Sequence, residues 1–180
     1  MKIFLRLAIF ILFTLCIVSN TNAKHIIGGD VTYQCLGIDS LNGNAFGNYR
    51  IEFTMYRDCG PGGGAGFDDN APIAIYRSTS NGGFSHLETI LVRVTDINEL
   101  ALEESPCQDI PEGICVQEGH YIFEVRLPIS DRNYYINYQR CCRNVTISNI
   151  VNPEDTGASF GVEITAAAQE VCNNSPKFAE

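Results

Sequence analysis

Tyr134-Tyr135-Ile136-Asn137-Tyr138-Gln139-Arg140-Cys141-Cys142-Arg143-Asn144 is the stretch whose reading decides the fold. Tyr134, Ile136 and Tyr138 share one parity, the period-two signature of a strand with one buried face. That face either fills a core, with its hydroxyls at the rim, or stands out as an aromatic strip for carbohydrate or protein. In extended backbone Cys141 and Cys142 point to opposite faces, which argues against a bond between them.

The same alternation recurs on both sides. Upstream, Tyr121, Phe123, Val125 and Leu127 alternate with Ile122, Glu124 and Arg126, and Pro128 ends the run. Tyr49, Ile51, Phe53 and Met55 alternate with Arg50, Glu52 and Thr54, and parity carries the buried face on to Cys59. Val31, Tyr33 and Cys35 form a short first strand, followed by a polar turn at 39–44. Ile73/Ile75 and Ile90/Val92/Val94 are joined through Asn81-Gly82-Gly83, a hairpin signal. Val145 to Val151 is a further run, and Phe160, Val162 and Ile164 supply a last strand. Asp96 to Glu104 is short and acidic and reads as a loop or a single helical turn. About eight strands without a sustained helix predict an all-β, antiparallel β-sandwich of broadly immunoglobulin-like kind, although the tryptophan of an antibody-type core is absent.

Lys2 and Arg6, an apolar run from Leu7 to Val18 broken by Thr14, and Ser-Asn-Thr-Asn-Ala before Lys24 have the layout of a secretory signal peptide. The expected organisation is a signal peptide at 1–23, one sandwich domain at 24–171, and an exit linker or the start of a following domain at 172–180. Beyond residue 23 the chain holds 10 basic against 21 acidic residues, a net charge of −11. Such a balance disfavours nucleic acid and anionic lipid as partners.

Seven cysteines follow the signal segment, and an exported chain should hold most of them as disulfides. Without a C-x-x-C pair or clustered His they do not read as zinc ligands. Cys107 and Cys115 enclose a short loop with a Pro and a Gly, so they are expected to pair. Cys142 shares the parity of Tyr134, and Cys59 lies on the buried side of its own strand, which predicts a Cys59–Cys142 link between sheets. Cys35 with Cys172 completes the set and leaves Cys141 free.

Candidate chemistry is sparse. The glycine-rich loop from Cys59 to Asn70 has no Lys and no following helix, so it does not cradle phosphate. Asp68, Asp69 and Asn70 offer oxygens for a calcium ion, against the plainer reading of a flexible turn. His25, His86 and His120 are scattered and accompany no nucleophile, and Glu103-Glu104 read as solubilising rather than as a glycosidase pair. No catalytic residue and no cofactor are therefore expected. Asn144-Val145-Thr146 and Asn173-Asn174-Ser175 match the N-glycosylation pattern, which matters in a eukaryotic host.

His25-Ile26-Ile27-Gly28-Gly29-Asp30-Val31-Thr32-Tyr33, Tyr56-Arg57-Asp58-Cys59, Tyr138-Gln139-Arg140-Cys141-Cys142-Arg143-Asn144 and Cys172-Asn173-Asn174-Ser175-Pro176-Lys177-Phe178 together carry a resemblance over nearly all of the mature chain. In this order they resemble the N-terminal β-domain of gliding-motility-associated, PKD-repeat-type surface proteins of Bacteroidota, exported by type IX secretion. The resemblance implies a noncatalytic structural or adhesive module, secreted or at the cell surface, facing an extracellular protein or glycan. Proteins of this type continue into further β-domains, whereas this sequence ends at Glu180; a fragment, a truncated gene and a small secreted relative are alternatives, and a partner in downstream sequence is one account of the odd cysteine. The alternative is a secreted β-domain that binds glycan or calcium through the glycine-rich loop and its acids.

Overall fold

The computed structural model describes residues 26–61, 64–101, 111–144 and 147–176. The expected signal peptide, His25, Glu103-Glu104 and Cys107 lie outside them. Among the described residues eight strands form two antiparallel sheets. They are β1 (Ile26–Leu41), β2 (Asn44–Asp58), β3 (Asn70–Ser78), β4 (Phe84–Arg93), β5 (Asp96–Glu99), β6 (Val116–Pro128), β7 (Tyr134–Arg140) and β8 (Ala158–Ile164), followed by a short helix α1 (Ala166–Glu170). One sheet runs β1-β2-β6-β5 and the other β4-β3-β7-β8. In immunoglobulin lettering these are A-B-E-D and C′-C-F-G, so the molecule is a β-sandwich with immunoglobulin-like strand order.

The alternating strands supply the core between the sheets. Tyr49, Ile51, Phe53 and Met55 of β2 and Tyr121 of β6 meet Ile73 and Ile75 of β3 and Tyr134, Ile136 and Tyr138 of β7, all buried. The tyrosine strip is thus core, and its hydroxyls are satisfied at the two ends of β7: Tyr134 donates to the Pro128 carbonyl at 2.7 Å, and Tyr138 donates to the Asp68 carboxylate. Tyr134, at the start of the F-equivalent strand and bonded back to the end of β6, is the tyrosine corner of this class of sandwich.

Three segments differ from expectation. β1 is not short: it spans 16 residues, because Asn42 and Gly43, both at positive φ, make a two-residue turn that folds it against β2 over its whole length. Asp96–Glu99 is an edge strand paired with Gln117–His120, not a helical turn or loop; the β6 ladder outweighs its weak local propensity. By contrast, the described part of the Val145 to Val151 run forms no strand.

The disulfides also differ from expectation. Cys59 pairs with Cys115, not with Cys142, and Cys115 is therefore not the partner of Cys107. Register is the cause: Asp58 stands opposite Val116, so Cys59 and Cys115 are the next facing pair, and the Cys59 N–H donates to the Cys115 carbonyl at 2.9 Å. Cys141 is not free but is bonded to Cys142 across a cis peptide. Strand β7 ends at Arg140, so the opposite-face rule for neighbouring strand residues does not apply to them. Cys35 is joined to Cys172.

Candidate functional site

The glycine-rich loop, the start of β6 and the segment after β7 converge at one end of the sandwich, where immunoglobulin-type domains carry their B–C, D–E and F–G loops. There Asp58, the last residue of β2, accepts from the Gly60 N–H at 2.8 Å and from Asn144 Nδ2 at 3.0 Å. Asn144 is only 6% exposed, so the asparagine of the first glycosylation pattern is folded into the protein rather than offered to solvent. Asn173 of the second is exposed. Asp58, Asn144, Pro61, Ile114 and the Cys115 side of the disulfide line an open groove of about 430 Å³.

Next to this groove, Asp68 is held from three directions. Arg140 Nη2 lies 3.3 Å from its carboxylate, Tyr138 donates to the same carboxylate, and Tyr121 donates to its carbonyl at 2.9 Å. Arg57 reaches the Ala65 carbonyl at 3.3 Å, stacks on Phe67 at 5.4 Å and is gripped by Gln117 at 2.6 Å. The second half of the loop is therefore pinned by two arginines and two tyrosines. Burial, and then the hydrogen bond to Asp68, push the Tyr138 phenol far upward. Burial and the nearby Asp68 charge push Tyr121 up to about 12. Phenols so far above neutrality act as donors, not as general bases.

The expected calcium trio is divided by these contacts. Asp68 has its carboxylate taken by Tyr138 and Arg140, the Asp69 carbonyl accepts from the Val94 N–H at 3.2 Å, and Asn70 opens β3 opposite Arg93. Among the described residues, metal-type ligand atoms gather at Cys59, Glu99 and Cys115, but the two sulfurs are bonded to each other and offer no thiolate.

The outer face of the β1-β2-β6-β5 sheet holds a polar cluster that residue order did not reveal. His120 Nδ1 lies 3.6 Å from Glu52 and its Nε2 3.3 Å from Glu118, with Thr54 Oγ1 3.5 Å from Nδ1. Asp30 faces Thr54 across β1 and β2, and burial together with the Glu52 charge raises its pKa, while Tyr56 and His120 act in the other direction. Register alone brings these residues together, since they come from β1, β2 and β6. His86 is elsewhere, on β4, where Nε2 lies 2.8 Å from Thr89 Oγ1. In these contacts the hydroxyls in reach of a described histidine are those of Thr54 and Thr89. Among the described residues no helix is long and apolar enough to cross a membrane.

On the outer face of the other sheet, opposite in parity to the buried tyrosines, stand Tyr135 and Tyr76 in register, with Phe84 and His86 beside them. The signal for Tyr135 was in the sequence as the second parity of the Tyr134 stretch; Tyr76, Phe84 and His86 join it through strand register. Compared with family models, curated proteins and solved structures, the chain finds no match in any of the three.

Proposed function

We propose that this chain is a noncatalytic extracellular module, structural or adhesive, of a gliding-associated surface protein. One observation carries the reading: the polar side chains at the loop end are engaged in tying the backbone together. Asp58 holds Gly60 and Asn144, Asp68 is held by Tyr138 and Arg140, and Arg57 holds Ala65. All six cysteines among the described residues are in disulfides, which suits an oxidising compartment. The motif segments that carry the family resemblance are the ones that do this work. Asp58 and Asn144 meet each other, and Cys172, Asn174 and Ser175 tie down on β1.

The reading is tested by coating beads with the oxidised domain and measuring their attachment to cells and to polysaccharide-coated glass, alongside a screen for glycan and peptide hydrolysis. Specific attachment without turnover is expected. Hydrolysis abolished by His120→Ala would overturn it.

A further inference from the structure

We infer that the outer face of the β4-β3-β7-β8 sheet binds a neutral glycan chain, with Tyr76, Phe84, His86 and Tyr135 as its stacking surface. Such binding rests on the adhesive reading above and names its ligand class. His86, Tyr76, Tyr135 and Glu163 stand directly opposite one another across the four strands, forming one rung of the sheet. The Tyr76 and His86 rings are 5.4 Å apart, and Phe84 leans on Tyr135 at 5.5 Å while remaining 54% exposed. Among the described residues Phe84 and His86 are exposed and Tyr76 and Tyr135 half-buried, so this solvent-facing sheet has apolar area to cover.

The neighbouring rung is small and polar: Thr89, Ala74, Asn137 and Gly161. Gly161 matters sterically, because a Cβ there would come within 2.6 Å of the Tyr135 hydroxyl and 2.7 Å of its ring carbon Cζ. The Tyr135 ring is thus laid down over β8, beside a low floor where Thr89 and Ser159 are exposed and Asn137, 4% exposed, accepts from Ser159 at 2.9 Å. A pyranose ring has the matching chemistry, with C–H groups on its flat face and hydroxyls round its rim. Charge selects the neutral class. The two rungs hold no Lys or Arg, and Glu163, their one carboxylate, already accepts from Asn133 at 2.7 Å. A net charge of −11 beyond residue 23 further disfavours sulfated or uronic chains.

The test is affinity electrophoresis of the full oxidised chain through gels containing hydroxyethyl cellulose, laminarin or yeast mannan, with heparin as the anionic comparison. Retardation by at least one neutral polysaccharide is expected. Tyr135→Ala and Tyr76→Ala should each weaken it by about tenfold or more, in line with loss of an aromatic anchor, while Tyr135→Phe retains it. Gly161→Ala should weaken it by lifting the Tyr135 ring. Thermal unfolding checks each variant, and Phe84→Ala, at the start of an edge strand, carries the test should Tyr135→Ala fail to fold. Retardation by heparin alone, by none of the polysaccharides, or indifferent to Tyr135 and Tyr76 would overturn the inference. So would a dimer broken by Phe84→Asp, which would assign the face to a second copy. If beads still attach to cells while no neutral polysaccharide is bound, the glycan inference falls and the module reading stands; hydrolysis of the polysaccharide would remove the module reading itself.

Discussion

Tyr134 and Tyr49 bury the same phenol with opposite outcomes. The Tyr134 hydroxyl donates to the Pro128 carbonyl at 2.7 Å, whereas the Tyr49 hydroxyl is buried with no partner among the described residues, its ring folded back over Gly47, and burial pushes its pKa up to about 12. Tyr134→Phe should therefore cost about 1 kcal/mol in urea unfolding, because it removes a hydrogen bond made by a buried side chain. Tyr49→Phe should be neutral or stabilise by about 1 kcal/mol, since it removes only an unsatisfied group. Asp30 supplies a pH test. Its carboxyl is surrounded by Glu52, Glu118, His120 and Tyr56, and burial followed by Glu52 raises its pKa above 3.8. In the folded protein it holds its proton to higher pH than in the unfolded chain, so its ionisation opposes folding. That contribution is absent below pH 3.8 and grows as pH rises through the folded pKa. Asp30→Asn should accordingly raise the unfolding temperature at pH 7 and leave it unchanged near pH 3, as thermal scans at the two pH values would show. Glu52 and Thr54 were legible as the outward parity of β2. Their meeting with Asp30 and His120 was not, because strand pairing is a long-range fact.

At the scale of elements, the C-terminal tail is part of the sheet architecture. Strand β1 is an edge, and an edge exposes unpaired N–H and C=O groups. Asn174 Oδ1 accepts the Cys35 N–H at 2.8 Å, Ser175 Oγ accepts the Tyr33 N–H at 2.9 Å, and the Ser175 N–H returns a bond to the Tyr33 carbonyl at 3.0 Å. Helix α1 feeds this tail and closes the same end: Gln169, 1% exposed, accepts from Ser130 N–H and donates to the Arg132 and Ile164 carbonyls. Ending the chain after Asn173 should leave the β1 edge open and increase self-association in light scattering. Joining β1 to this tail, Cys35–Cys172 spans 137 positions of chain. On the chain-entropy account its loss costs up to about 5 kcal/mol, so the double variant Cys35→Ser/Cys172→Ser should lose about 2–5 kcal/mol in denaturant unfolding. Seven of the eight strands were readable from alternation because each turns one face inward. β5 was not, because Asp96–Glu99 is exposed throughout and owes its conformation to β6.

For the whole molecule the strand order is what assigns the cysteines. Once β2 and β6 are neighbours in one sheet, Cys59 must face Cys115, and no link between sheets is needed. A nonreducing peptide map of the purified chain should show Cys59–Cys115, Cys35–Cys172 and an intact Cys141–Cys142 peptide two mass units below its reduced form; a peptide joining Cys59 to Cys142 would contradict the register. The same topology separates two outer faces of different character. The β1-β2-β6-β5 face carries the Asp30, Glu52, Glu118 and His120 cluster, and the β4-β3-β7-β8 face carries the aromatic rung.

The sequence by itself determined that this protein is an antiparallel β-sandwich, because period-two alternation forces one face of each strand inward whatever its neighbours are. It also determined that Tyr134, Ile136 and Tyr138 share a face. Only the tertiary structure decided which strands are neighbours, and with them the Cys59–Cys115 bond, the Cys141–Cys142 bond beyond the end of β7, the grip of Tyr138 and Arg140 on Asp68, and the meeting of Tyr135 with Tyr76 and Phe84. The reason is physical. Alternation is written into consecutive residues, whereas register and partner choice are set by the packing of segments far apart in the chain, which a local pattern does not encode.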